Sequence, residues 1–390
     1  MRFAENMVAV AVGWQVYAIH RNPLDLGLIG LMEFLPLPLL ALPAGQLADR
    51  APRRAVLAFS LGMSVAVATA LLIVTLHGAT ALWPFLALAG ATGVSNAIGW
   101  PAYGALTPEV VPPDLLPGAM ALRSVAGQIA VVAGPALGGV LFAVRPETVY
   151  AVAIALFALA LVAVVSLKTR TLTSDGEHGD APGLADLVAG VRFVMRTRML
   201  LGAIALDLFA VLFGGATALL PVFARSILHT GPVGLGILRS APAVGALSAA
   251  VILTRRPLRP RAGPTLIVVV ALFGAATIVF GFSRWLPLSL AALAVAGFVD
   301  MISVNIRSTR VALVTPNELR GRVNAVEMVF ISASNELGAF ESGLVASLVG
   351  TVTAVVAGGV ATVGIALSWT KLFPALSRMG RLEELRAEPV

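Results

Sequence analysis

A chain of 390 residues that is 58% hydrophobic and 12% charged, with mean hydropathy +0.93, carries about half the charge of an ordinary soluble domain, for which roughly 25% is usual. That is too little to cover a water-facing surface, so the surrounding solvent is lipid. The net charge of +7 lies in arginine clusters between apolar runs rather than on one soluble face, and no nucleic acid partner is expected.

A hydrocarbon core about 30 Å thick needs ~20 residues per helix, so spans consume nearly the whole chain. Only helices or closed barrels satisfy every backbone group in lipid. The apolar runs are continuous, without ten-residue alternation, which selects helices over a barrel. Cysteine is absent, which excludes a disulfide framework and a thiolate metal site, and the four histidines are scattered in loops. No cofactor and no metal are expected. No phosphate loop, zinc spacing or nucleophile triad is present, and the chain is not read as an enzyme.

The spans are expected at Phe3–Ile19, Leu28–Ala48, Ala55–Leu76, Leu82–Tyr103, Gly118–Ala143 and Thr148–Leu167. The first is short and begins almost at the initiator, as a truncated helix would. The second carries Pro36, Pro38 and Pro43 and should bend. Residues 169–199 change in composition: a polar stretch with Ser174, Asp175, Gly176 and Glu177 reads as a linker, and Gly183–Met199 as an amphipathic helix at the membrane surface. Six further spans are expected at Leu200–Phe223, Gly234–Leu253, Gly263–Phe282, Leu286–Arg307, Val323–Leu348 and Val352–Phe373. The layout is therefore two six-helix halves, 1–168 and 200–373, a linker, and a charged tail at 374–390.

Charge sets the orientation. With both termini cytoplasmic, the loops on that side, the start of the fifth span and the C-terminal end hold 21 of the 27 Lys and Arg, as the positive-inside rule requires. The halves also repeat: Pro112-Pro113-Asp114-Leu115 and Pro316-Asn317-Glu318-Leu319 lie 204 positions apart, about half the chain.

Between the second and third spans stands Gly45-Gln46-Leu47-Ala48-Asp49-Arg50-Ala51-Pro52-Arg53-Arg54. It resembles the signature loop of major facilitator superfamily transporters, with Pro52 where that family often has glycine. Leu28–Arg54, Asp300–Thr309, Thr315–Ala325 and Ser334–Gly343 resemble the bacterial transmembrane secretion effector branch, which includes enterobactin exporter-like proteins. The resemblance implies a twelve-helix all-α membrane fold and export of small molecules, usually driven by protons, from the bacterial inner membrane. Gly134, Pro135, Gly138 and Gly139 resemble the Gly-Pro motif of facilitator antiporters. An arginine common in the fourth span of such antiporters is missing from Leu86–Trp100.

Several residues are candidates for the work of transport. Asp49 and Arg50, with Gly45, read as one side of a cytoplasmic latch, and Arg320 and Arg322 as the other. An ionisable group at bilayer depth costs ~2.5–3.5 kcal/mol on insertion scales, so it should face a cavity or a partner. Glu33, Asp207 and Glu341 are the proton-coupling candidates. Asp300 and Arg307 share a face of one helix, as residues seven apart do, and are expected to pair with each other. Glu327, Ser334 and Glu341 share a face by the same arithmetic. A wide apolar cavity is expected to be lined by Gln15, Asn96, Trp100, Tyr103, Arg123, Asn335 and Glu336. The expected partners are a small-molecule substrate, protons and membrane lipids, with the chain acting as a monomer. The alternatives are a lipid or lysolipid flippase of the same fold and a transport-inactive scaffold or sensor.

Overall fold

The computed structural model describes residues 1–40, 51–78, 80–167, 191–255 and 262–374. Long helices follow one another along the chain: α1 (Arg2–His20), α2 (Pro23–Phe34), α3 (Arg53–Leu76), α4 (Trp83–Val110), α5 (Leu116–Val144) and α6 (Pro146–Ser166). After the linker come α7 (Arg198–Gly214), α8 (Gly231–Arg255), α9 (Ala262–Phe282), α10 (Leu286–Val314), α11 (Asn317–Val349) and α12 (Thr351–Leu372). Nine helices among the described residues are long and apolar enough to cross a membrane. Helices α1, α4 and α11 are as long but less apolar.

Local chemistry places several boundaries. Asn22 caps α2, its side chain accepting from the Leu24 amide at 3.1 Å, with Pro23 in the first turn and Asp25 at the positive end of the helix dipole. The helix therefore starts earlier than expected. It loses its regular pattern at Leu35, just ahead of Pro36, where a bend was expected. Beyond Gly214, α7 is prolonged by a three-ten turn (Ala216–Leu219) and a wide turn (Phe223–Ile227). Helix α10 runs seven residues past its expected end at Arg307, which carries Arg310 out of the loop and into the helix. The surface helix expected at Gly183–Met199 lies largely outside the described residues. Residues 191–196 are helical, and Val194 is buried in an apolar cluster with Leu200, Ile204, Val311 and Val323.

The chain divides into two compact units. The first gathers Met1–Gly183 with Thr230–Ser240, and the second Leu184–His229 with Ala241–Val390. In the first unit α1 packs on α5, α2 on α4, and α3 on both α4 and α6. The second unit repeats those pairings: α7 on α11, α9 on both α10 and α12, and α8 against α10.

Glycines mark where these pairs meet. A Cβ at Gly93 of α4 would stand 2.2 Å from the Glu33 carbonyl oxygen of α2, and one at Gly297 of α10 would stand 2.0 Å from the Pro242 carbonyl oxygen of α8. A Cβ at Gly134 of α5 would meet Asn6 of α1 at 2.9 Å, and one at Gly338 of α11 the Leu212 carbonyl oxygen of α7 at 3.0 Å. Gly93 and Gly297 are 204 positions apart, as are Gly134 and Gly338. The repeat that one loop motif suggested is thus a repeat of helix contacts, built on small residues that let backbones approach.

Candidate functional site

Polar groups inside apolar helices must find partners in the protein, because lipid offers none. Tracing those partners separates structural polar groups from candidates for function.

In the first unit most buried polar groups close on one another. Gln15 of α1 donates to the Thr75 hydroxyl of α3 at 3.1 Å and accepts from the Tyr150 hydroxyl of α6; Thr75 donates back to the Leu71 carbonyl at 2.8 Å. Gln15 is therefore a core residue tying three helices together, not the cavity residue expected from sequence: its amide is spent on neighbours. Ser60, Ser64 and Ser95 form a second knot between α3 and α4, with hydroxyl separations of 3.0–3.1 Å.

The remaining candidates of this unit are less enclosed. Arg123 of α5 donates to the Gly104 carbonyl and the Thr107 hydroxyl of α4, both at 3.2 Å, and lies 4.7 Å from the Tyr103 ring centroid. It fastens α5 to α4 through a cation–π contact and two hydrogen bonds. Trp100 is partly exposed, with Arg2 5.5 Å from its ring centroid. Asn96 and Glu33 are half-buried. Gly138 abuts the Met7 backbone of α1, whereas Gly139 faces Pro232 and Gly236 of α8. The antiporter-like motif thus sits where α5 meets two helices at once, and Pro135 lies within α5. At the start of α3, Arg53 pairs with Glu109 of α4 at 2.7 Å and Arg54 donates to the Val165 carbonyl of α6. Gly45, Asp49 and Arg50 lie outside the described residues, as does the Arg320 side chain. Arg322 is half-buried.

The second unit holds a different arrangement. Arg307 of α10, its side chain 4% exposed, bridges Asp207 of α7 and Glu327 of α11. Its terminal nitrogen Nη1 meets an Asp207 carboxylate oxygen, and its Nε donates to Glu327 Oε1 at 3.2 Å. The two carboxylates retain 12% and 14% side-chain exposure. Three helices are joined by one guanidinium, a group whose fork suits two acceptors at once.

The expected pairing of Asp300 with Arg307 is corrected here. Seven residues along a helix are about 10 Å, too far for a direct bond, and Arg307 turns across to neighbouring helices instead. Among the described residues no ion pair joins it to Asp300. Asp300 is half-buried; Ser303, one turn before Arg307, is 3% exposed, with no hydrogen-bond partner for its hydroxyl among the described residues. Glu341 and Glu336 are half-buried and Asn335 is exposed. All three lie more than two helical turns beyond Glu327 on α11.

Two residues escaped the sequence reading. Glu327 was placed on a face but given no role, because nothing in one sequence shows that α11 brings it to α10. Arg310 was counted as a loop charge, yet it is fully buried in α10. The available signal was its position three residues after Arg307, one helical turn along the same side.

Comparison with known proteins agrees with this architecture. The family model of the transmembrane secretion effectors matches residues 2–384. The multidrug efflux pump Tap of Mycobacterium tuberculosis is 28% identical over 358 residues, covering 87% of this chain and 83% of that protein. The enterobactin exporter EntS of Citrobacter koseri is 26% identical over 389 residues, covering 98% and 90%. Among solved structures, the nucleoside transporter NupG superposes with a TM-score of 0.68 at 14% identity, covering 95% of this chain and 96% of that one. A bacterial homolog of the human lysosomal transporter Spinster, inward-facing and unoccupied, gives 0.72 at 15% identity, covering 100% and 98%.

Proposed function

Because the chain belongs to the transmembrane secretion effector family of major facilitator transporters, we propose that it exports a small amphipathic molecule across the bacterial inner membrane in exchange for protons. The two halves would expose a central site to each side in turn, with both termini cytoplasmic. The efflux and export functions of the two curated relatives support the direction of transport.

One observation carries the coupling. A buried Arg307 held between two carboxylates is costly in a membrane protein, since insertion of each charge disfavours the fold. A bundle that needed only stability would be better served by apolar packing at that place. Asp207 is a coupling carboxylate in this reading, with Glu33 and Glu341 as further candidates. Asp49, Arg50, Arg320 and Arg322 remain the proposed latch at the cytoplasmic side.

The test is transport in proteoliposomes holding a pH-sensitive dye. Ethidium, erythromycin and a catecholate siderophore are each added under an imposed pH gradient. The expected result is proton movement dependent on one of these compounds, abolished by Asp207→Asn. Movement of a compound that ignores the pH gradient would refute proton coupling while leaving export intact.

A further inference from the structure

Arg53 and Arg307 meet carboxylates, Glu109 in one case and Asp207 with Glu327 in the other. Arg2 and Arg123 are held differently. Trp100 and Tyr103 stand three residues apart on α4 and so lie toward one side of that helix. Helix α1 brings Arg2 to 5.5 Å from the first ring centroid, and α5 brings Arg123 to 4.7 Å from the second. Among the described residues no carboxylate forms an ion pair with either guanidinium. The acids at the start of α1 and the end of α4 do not supply one: Glu109 is engaged by Arg53, Asp114 is exposed beyond α4, and Glu5 has its Oε1 buried without a hydrogen-bond partner.

Arg123 is the more firmly placed of the two. Its Nη1 directs its two hydrogens to α4, at the Gly104 carbonyl and the Thr107 hydroxyl. Its Nε and Nη2 donate to nothing among the described residues. Those two nitrogens form the side edge of the guanidinium, whose parallel N–H groups match the two oxygens of a carboxylate or phosphate. Stacking on Tyr103 and the bonds to α4 hold that edge in place before a ligand arrives. An arginine kept only to set membrane orientation needs a charge near the surface; it has no need to be half-buried, stacked and tethered.

We propose that the Nε–Nη2 edge of Arg123 binds the anionic head of an amphipathic ligand, a carboxylate or a phosphate. Arg2, against the ring one turn away on α4, adds a second positive charge. The Trp100 indole, 39% exposed, offers its free surface to the apolar part. Identification of this ligand as the cargo rests on the export reading given above; the site itself does not. Anionic lipids carry the same head chemistry, and the test separates the two sources.

The probes are naphthylacetate, naphthylacetamide and naphthylethylammonium, which share a ring and differ in charge. Each is titrated calorimetrically into the purified protein in an uncharged detergent. The carboxylate should bind saturably and more tightly than the other two. Arg123→Gln should weaken it about tenfold or more, the scale of a lost charge-assisted contact, and Arg2→Gln by less. Arg53→Gln removes the same charge from a guanidinium that already has a partner, and should leave binding unchanged. Arg123→Lys keeps the charge without the fork and should fall between the wild type and Arg123→Gln, a readout that holds even if the glutamine variant folds poorly. Equal affinity for the three probes, an unaffected Arg123→Gln, or an equal loss in Arg53→Gln would overturn the proposal. Repeating the titration in phosphatidylcholine nanodiscs, with and without phosphatidylglycerol, identifies the source. Competition by phosphatidylglycerol would keep the anion site and overturn its assignment to cargo; undiminished binding supports cargo. The proteoliposome assay keeps the two readings distinct. Naphthylacetate binding without proton-driven movement of any compound counts against proton-coupled export alone, and proton-driven ethidium efflux without naphthylacetate binding counts against the site alone.

Discussion

The contact of α2 with α4 is tight enough to be tested by a single methyl group. At Gly93 an added Cβ would stand 2.2 Å from the Glu33 carbonyl oxygen and 3.0 Å from its carbonyl carbon, both backbone atoms that cannot rotate away. Ordinary contact begins near 3.4 Å, so the helices must part by about an ångström. Overpacking of this kind costs about 1–3 kcal/mol. Alanine recovers about 0.5–1 kcal/mol of helix propensity over glycine. The net expectation for Gly93→Ala is a loss of up to about 2.5 kcal/mol. Gly104→Ala supplies the control within the same helix, since nothing lies within 4 Å of its Cβ. It should gain the propensity term alone, so the two variants should differ by the overpacking cost, about 1–3 kcal/mol, or ~5- to 150-fold in the folded-to-unfolded ratio. Equilibrium unfolding of the detergent-solubilised protein by increasing sodium dodecyl sulfate reads that difference. Equal stability of the two variants would refute the close-approach account of α2 and α4. The same experiment at Gly297, the equivalent position on α10, should repeat the loss if the two units share one design.

Two further outcomes follow from the buried polar groups. Arg307→Met strands Asp207 and Glu327 without a counter-charge and should cost about 3–5 kcal/mol in the same unfolding assay; adding Asp207→Asn and Glu327→Gln should recover most of that loss, and a triple variant no better than the single one would show that the guanidinium does not balance these acids. Tyr150→Phe removes the hydroxyl that donates to Gln15 and should cost about 1–3 kcal/mol, with the Gln15–Thr75 bond left in place; a neutral result would mean that α6 is not fastened through this knot.

The candidate site was only partly legible in the sequence. Asp207 and Arg307 stood out because ionisable side chains inside long apolar runs are conspicuous. Their connection was misread, since a sequence displays only neighbours along a helix. It therefore offered Asp300 as the partner of Arg307, whereas the partners come from helices one hundred residues before and twenty residues after it in the chain. Gln15 was misread for the same reason: an isolated amide looks like a ligand group until Thr75 and Tyr150 are seen to use it. Helix ends were also inexact. Arg310, just past the expected end of α10, read as loop because arginine at a membrane boundary usually is, yet it is buried within the helix.

What the sequence determined by itself is the solvent and the element type. A chain with 12% charge and long apolar runs must lie in lipid, and lipid forces each run to satisfy its own backbone bonds as a helix. The repeat at 204 residues was visible as well, in the loop motifs at Pro112–Leu115 and Pro316–Leu319; the glycine pairs that share its offset took on meaning only from the helix contacts. Only the tertiary structure decided which partner each buried polar group has. That depends on distances across helix interfaces, because a hydroxyl, amide or carboxylate bonds whatever group packing brings within about 3 Å of it.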